Sequence, residues 1–101
     1  MIRVRHYTRV SAAKKIMSEL RIIARDQNKV FVERASARRL SPADAEAKYG
    51  LILGKGNAYM EFDVEEDRLK WRKNASIKGD EWYINGNVDL TSRNPTQFLN
   101  R

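Results

Sequence analysis

Two seven-residue stretches of strict alternation restrict this chain most. Residues 2–8 read IRVRHYT and put Ile2, Val4, His6 and Thr8 on one side, with Arg3, Arg5 and Tyr7 on the other. Residues 58–64 read AYMEFDV, and Met60, Phe62 and Val64 share the face expected to be buried. A period of two suits a pleated strand with one covered face and does not suit a helix. A slip of one residue would turn the apolar set of either stretch to solvent, so each predicts a strand in a defined register.

The rest of the chain supplies helices and shorter strands. Ser11 reads as the cap of a helix whose apolar positions are Ala12, Ala13, Ile16, Met17 and Leu20. A short extended piece at 21–24 leads to a turn at Asp26-Gln27-Asn28. KVFVE, residues 29–33, is a strand with Val30 and Val32 on one face and Phe31 on the other. Ser41-Pro42-Ala43-Asp44 starts a second helix, with serine at the cap and proline at the first position, and Gly50 ends it. Later strands are expected at 68–72, 81–84 and 87–90, with a loop at 74–80 and an Asn85-Gly86 turn. Trp71 and Trp82 read as core or groove edge. The tail SRNPTQFLNR is polar apart from Phe98 and Leu99. The order is β-α-β-α followed by strands, so the fold class is α+β and strand-rich, not doubly wound. At 101 residues, 1–101 is read as a single domain.

Composition excludes several chemistries. The chain has no cysteine and one histidine, which removes disulfides, thiolate sites and cysteine nucleophiles and leaves no ordinary metal-ligand set. No apolar run is long enough to span a membrane, and the N-terminus lacks the apolar core of a secretory signal. Twenty Lys and Arg against thirteen Asp and Glu give a net charge of +7, which favours an anionic partner. Gly50, Gly54, Lys55 and Gly56 imitate a phosphate loop, but the spacing is wrong and no Ser or Thr follows the lysine.

Three features stand in order: His6-Tyr7-Thr8 at the end of the first strand, Val30-Phe31-Val32 with Tyr49 after it, and Glu81-Trp82-Tyr83-Ile84 on a late strand. Together they resemble the ADP-ribosyltransferase superfamily in its H-Y-E/H-Y-D branch, which includes diphtheria toxin, the poly(ADP-ribose) polymerases and small bacterial polymorphic-toxin domains. The resemblance spans about residues 4 to 90. It implies a small ADP-ribosyltransferase-like fold, a split sheet with two short helices in the N-terminal half, and a mono-ADP-ribosyltransferase that uses NAD as co-substrate. It further implies that His6 holds an NAD ribose hydroxyl, that the Tyr7 backbone holds the nicotinamide amide, and that Thr8 orients His6 or touches the ribose. Phe31 and Tyr49 would stack on nicotinamide, and Glu81 would be the catalytic acid.

The chain departs from the pattern at three places. Phe31 stands where tyrosine is usual, Lys29 where glycine is common, and Arg21 rather than glycine follows the helix. Because some such domains carry aspartate as the third residue, Asp63, Asp80 and Asp89 rival Glu81. Arg5, Arg9 and Arg25 are candidates for the pyrophosphate. The expected partners are a macromolecular acceptor, protein or RNA, and a cognate immunity protein, with no metal and no membrane. Action is expected in the cytoplasm, after secretion or injection into a target cell. His6 and Glu81 are expected to face one cleft. Two alternatives stay open: a small ribonuclease toxin with His6 as general base, and a non-catalytic basic nucleic-acid-binding domain.

Overall fold

The computed structural model describes residues 1–25, 27–51, 54–74 and 79–101, with the backbone alone at 74, 79 and 80. Strands β1 (Ile2–Thr8), β2 (Arg21–Ile22), β3 (Lys29–Arg34), β4 (Ala58–Val64), β5 (Lys70–Asn74), β6 (Gly79–Asn85), β7 (Val88–Asp89) and β8 (Thr96–Leu99) accompany helices α1 (Val10–Glu19) and α2 (Pro42–Tyr49). Six strands form one sheet in the order β5-β6-β3-β1-β4-β8, and β2 and β7 form a separate pair. This is the α+β, strand-rich arrangement expected.

The two alternating stretches lie side by side. β1 pairs with β4 along its whole length, from Ile2↔Val64 to Thr8↔Ala58. Val4, Met60, Phe62 and Val64 therefore share one face, and all are fully buried. Val30, Val32 and Ile84 extend that face, and Ala13 of α1, Ile22 of β2 and Val88 of β7 cover it. On its other side β1 pairs with β3 only at Val4↔Arg34 and Arg5↔Glu33. From His6 onward the two central strands part, so the sheet is split.

The opposite face is held by charge. Arg5 is 6% exposed and Glu33 5%. Arg5 donates from Nε to Glu61 Oε2 at 3.1 Å, and from Nη1 to Glu33 Oε1 at 2.8 Å and the Ala37 carbonyl at 3.1 Å. Its Nη2 donates to the Ala35 carbonyl at 2.9 Å, and its guanidinium lies over the Tyr59 ring. Tyr7 Oη donates to Glu33 at 2.6 Å and accepts from the Leu40 N–H at 2.8 Å. One buried cluster thus ties β1, β3, β4 and the segment 35–40 together. Burial opposes the charge on Arg5, but its bonds to Glu33, Tyr7 and Glu61 outweigh it and raise the guanidinium above its ordinary value.

The helix ends differ from each other. α2 begins as expected, with Ser41 Oγ accepting from the Asp44 N–H and Gly50 closing it at φ 64°. Ser11 does not cap α1: the helix starts two residues earlier than that cap predicts, Arg9 takes the cap position without a side-chain bond, and the Val10 N–H donates to Asn57 Oδ1 instead. The expected strand at 68–72 is displaced, because Glu66–Arg68 forms a short 3-10 turn and β5 starts at Lys70. Trp71, expected in a core or at a groove edge, is 53% exposed. The Gly54 and Gly56 amides donate to Glu46 Oε2, so an internal carboxylate fills that phosphate-loop look-alike. Part of the polar tail is a strand: β8 pairs with β4, and Phe98 stacks on Tyr59 at 4.9 Å.

Removing Arg5 leaves the buried Glu33 carboxylate without its counter-charge and takes from the half-buried Glu61 the closer of its two arginines. Arg5→Ala is expected to destabilise the fold by about 3–5 kcal/mol, read from the urea midpoint. A change below about 1 kcal/mol would mean that the cluster is held by other contacts.

Candidate active site

His6 is the residue at which the sheet parts. β4 holds its backbone, opposite Met60. Its ring reaches across the slit, and Nδ1 lies 2.8 Å from the Phe31 carbonyl of β3. A carbonyl can only accept, so Nδ1 carries the proton and Nε2 keeps its lone pair. Burial lowers the pKa of His6 below its usual 6.5, and the bond to Phe31 opposes this in part. The ring is therefore neutral at pH 7, with Nε2 as an acceptor.

That ring lines a cleft of about 520 Å³ between α1 and the segment 21–25. This is within the usual range for a small-molecule site. Thr8 stands beside His6 in it, and Arg9, Lys15, Arg21 and Arg25 contribute four cationic side chains. Glu19 is the only acid among the lining residues, and it pairs with Lys15 at 4.0 Å and Arg21 at 3.3 Å. Arg9 and Arg25 have no ion-pair partner among the described residues. The cleft thus offers an anion two guanidinium groups that pair with no carboxylate among the described residues, and offers a hydroxyl the Nε2 lone pair.

The other sequence candidates lie on the second face. Strand parity puts Glu81 with Glu33 and Arg5, because Val32 pairs with Trp82 and Arg5 with Glu33. Glu81 bonds to Arg72 across the β5–β6 ladder. Phe31 lies on the same face opposite Tyr83, while its carbonyl anchors His6. The Tyr7 ring is there too, with its hydroxyl pushed up to about 12 by burial and by Glu33. The Tyr49 ring lies 5.8 Å from that of Tyr7. Its buried hydroxyl has no hydrogen-bond partner among the described residues, and burial, with the charges of Glu33 and Tyr7 behind it, raises its pKa strongly.

The structure thus brings His6 and Thr8 together in the cleft, and Tyr7, Phe31, Tyr49 and Glu81 together behind it. It does not place His6 and Glu81 in one cleft as expected, because one residue of strand parity separates their faces. The bond from His6 to the Phe31 carbonyl, across the gap between β1 and β3, links the two groups.

The rival acids separate clearly. Asp63 bonds to Arg3 and Asn94, which hold it below the usual carboxylate range. Asp89 pairs across the β2–β7 ladder with Arg21, a cleft residue, and accepts the Thr91 N–H at 3.0 Å. The Asp80 side chain lies outside the described residues. Arg5 is consumed by its buried cluster and does not reach the cleft, whereas Arg9 and Arg25 line it. Sequence reasoning missed Lys15 and Arg21 as cleft cations, since which helix side faces the slit depends on tertiary packing. Among the described residues, no group of three His, Asp or Glu is arranged to hold a metal, and no helix is long and apolar enough to cross a membrane.

Comparison with curated proteins found no match, and neither did comparison with solved structures. A family model described as an HYD1 signature containing ADP-ribosyltransferase matches residues 4–94, from the middle of β1 to beyond β7. That span includes His6, the slit, the cationic cleft and the β6 strand, and the chain belongs to this family of ADP-ribosyltransferase toxin domains.

Proposed function

We propose that this domain is an NAD-dependent mono-ADP-ribosyltransferase that modifies a macromolecule in the cytoplasm of a target cell. The observation that carries the reading is His6, neutral and oriented by Phe31, in a cleft lined by four cations. A dinucleotide presents ribose hydroxyls and a pyrophosphate, and this site offers an acceptor for one and guanidinium groups for the other. Arg9 and Arg25 are assigned to the pyrophosphate. His6 Nε2 accepts from a ribose hydroxyl, Thr8 flanks it, and the Tyr7 backbone and the Phe31 and Tyr49 rings receive the nicotinamide end at the slit. The acidic immunity protein expected of such a toxin would cover the same cationic rim.

Cleaving the nicotinamide–ribose bond builds positive charge on the ribose, and a carboxylate close to it stabilises that charge. Glu81 is the proposed acid, met by the nicotinamide end of NAD where the slit opens onto the second face. A second reading assigns Asp89, because its ladder partner Arg21 lines the cleft while Glu81 is paired to Arg72 on the other face. Both are tested together by nicotinamide release from NAD and by transfer of label from adenylate-labelled NAD to lysate. His6→Ala is expected to lower turnover on the order of 10²-fold or more. Glu81→Gln is expected to lose on the order of 10²–10³-fold, with Asp89→Asn within a few-fold of wild type. The reverse order would assign the acid to Asp89. Turnover unchanged in Glu81→Gln, Asp89→Asn and His6→Ala alike would contradict the site.

The state of His6 gives a pH dependence. Its folded pKa lies below the unfolded 6.5, so the folded chain binds fewer protons near that pH. Its contribution to stability is complete above pH 6.5 and falls as the pH drops below it. Nicotinamide release is expected to be flat from neutral pH upward and to decline only below the usual histidine range. A decline already centred above pH 6.5 would contradict a depressed pKa.

A further inference from the structure

The outer strands of the sheet carry a feature that the NAD site does not use. On the face shared with His6, Val32 pairs with Trp82 and Trp82 with Trp71, making a row that runs from beside the slit to the free edge at β5. The two indole rings lie 6.4 Å apart at 47°. Trp82 is half-buried against the core, whereas Trp71 is 53% exposed on the edge strand. The Arg34 guanidinium lies over the Trp82 ring at 4.9 Å. Lys73 is exposed on β5, two residues from Trp71 and so on the same face. Neither Arg34 nor Lys73 has an ion-pair partner among the described residues. Trp71 packs against Trp82 yet leaves about half of its surface open on the edge strand, and Arg34 and Lys73 flank it.

We infer that Trp71, Trp82, Arg34 and Lys73 form a docking platform for single-stranded nucleic acid, the acceptor of this transferase. An unpaired base stacks on the exposed Trp71 indole, a contact open to any base and closed to a duplex, whose bases are already stacked. Arg34 and Lys73 take the phosphates on either side, and the net charge of +7 draws the strand in. Two strand spacings of about 4.8 Å put Trp71 roughly 10 Å from Val32 at the slit. A nucleotide or two beyond the stacked base therefore reaches the reacting end of the cleft. Docking stands independently of the NAD chemistry, and the role as acceptor rests on the function proposed above.

The test uses fluorescence anisotropy of a labelled RNA of about 12 nucleotides, single-stranded or annealed to its complement. The wild-type protein is expected to bind the single strand more tightly than the duplex and to lose affinity with salt. Trp71→Ala is expected to weaken single-strand binding about 10-fold or more, and Trp71→Phe to keep most of it. Arg34→Ala should weaken it and flatten the salt dependence by about one ion. Nicotinamide release to water, measured without acceptor, should be unchanged in Trp71→Ala. Equal binding of duplex and single strand, or Trp71→Ala binding as wild type, would overturn the platform. So would label transferred to protein by a domain that does not bind the RNA. A platform that behaves as expected in a protein that releases no nicotinamide would uphold the docking and refute the proposed chemistry.

Discussion

The buried ion cluster around Arg5 is the constraint on which the rest depends. β1 and β3 share only two residue pairs, too few to hold the centre of a sheet by backbone bonding alone. Arg5 supplies the missing connection by bonding Glu33 of β3, Glu61 of β4 and the carbonyls of Ala35 and Ala37. Tyr7 adds a second link through Glu33 and the Leu40 amide. Such a cluster gains little over a well-packed apolar one in stability, but losing one member is costly. Its charges also dictate which residues meet, which helps to keep the strands in one register. With one end of the β1–β3 seam fastened, the other end is free to open.

The opening is where the candidate site begins. His6 follows Arg5 directly, so the last fastened pair and the first open position are neighbours in sequence. The Phe31 carbonyl, a backbone acceptor left by the parting strands, takes the Nδ1 proton and settles the tautomer. The same opening leaves space for a cleft whose other wall is α1 and the segment after it. A fully paired seam would engage the Phe31 carbonyl in the ladder and close the slit. Structure and chemistry therefore have one cause, a strand pair that stops after Arg5.

Much of this was legible in the sequence. The alternation of 2–8 and 58–64 gave the central strands, Ser41-Pro42 and Gly50 gave both ends of α2, and the order of three short motifs pointed to the family. Other parts depend on contacts between distant residues. The cap of α1 comes from Asn57, so nothing near Ser11 announces it. β8 has an unremarkable polar sequence and becomes a strand because β4 offers it an edge and Tyr59 stacks on Phe98. The burial of Arg5 could have been suspected, since Arg5, Glu33 and Glu61 occupy one parity on three predicted strands. Taking Arg5 as a candidate for the pyrophosphate hid it. The face of Glu81 turned on one residue of register between β3 and β6, which short motifs do not encode.

The most direct test of the account uses the fact that His6 is the only histidine. A long-range proton–nitrogen NMR spectrum of the labelled protein reports both ring nitrogens of this one residue without assignment. The account predicts a neutral ring protonated at Nδ1, titrating below pH 6.5, with the Nε2 resonance moving when NAD is added. A ring protonated at Nε2, or an Nε2 resonance indifferent to saturating NAD, would contradict it.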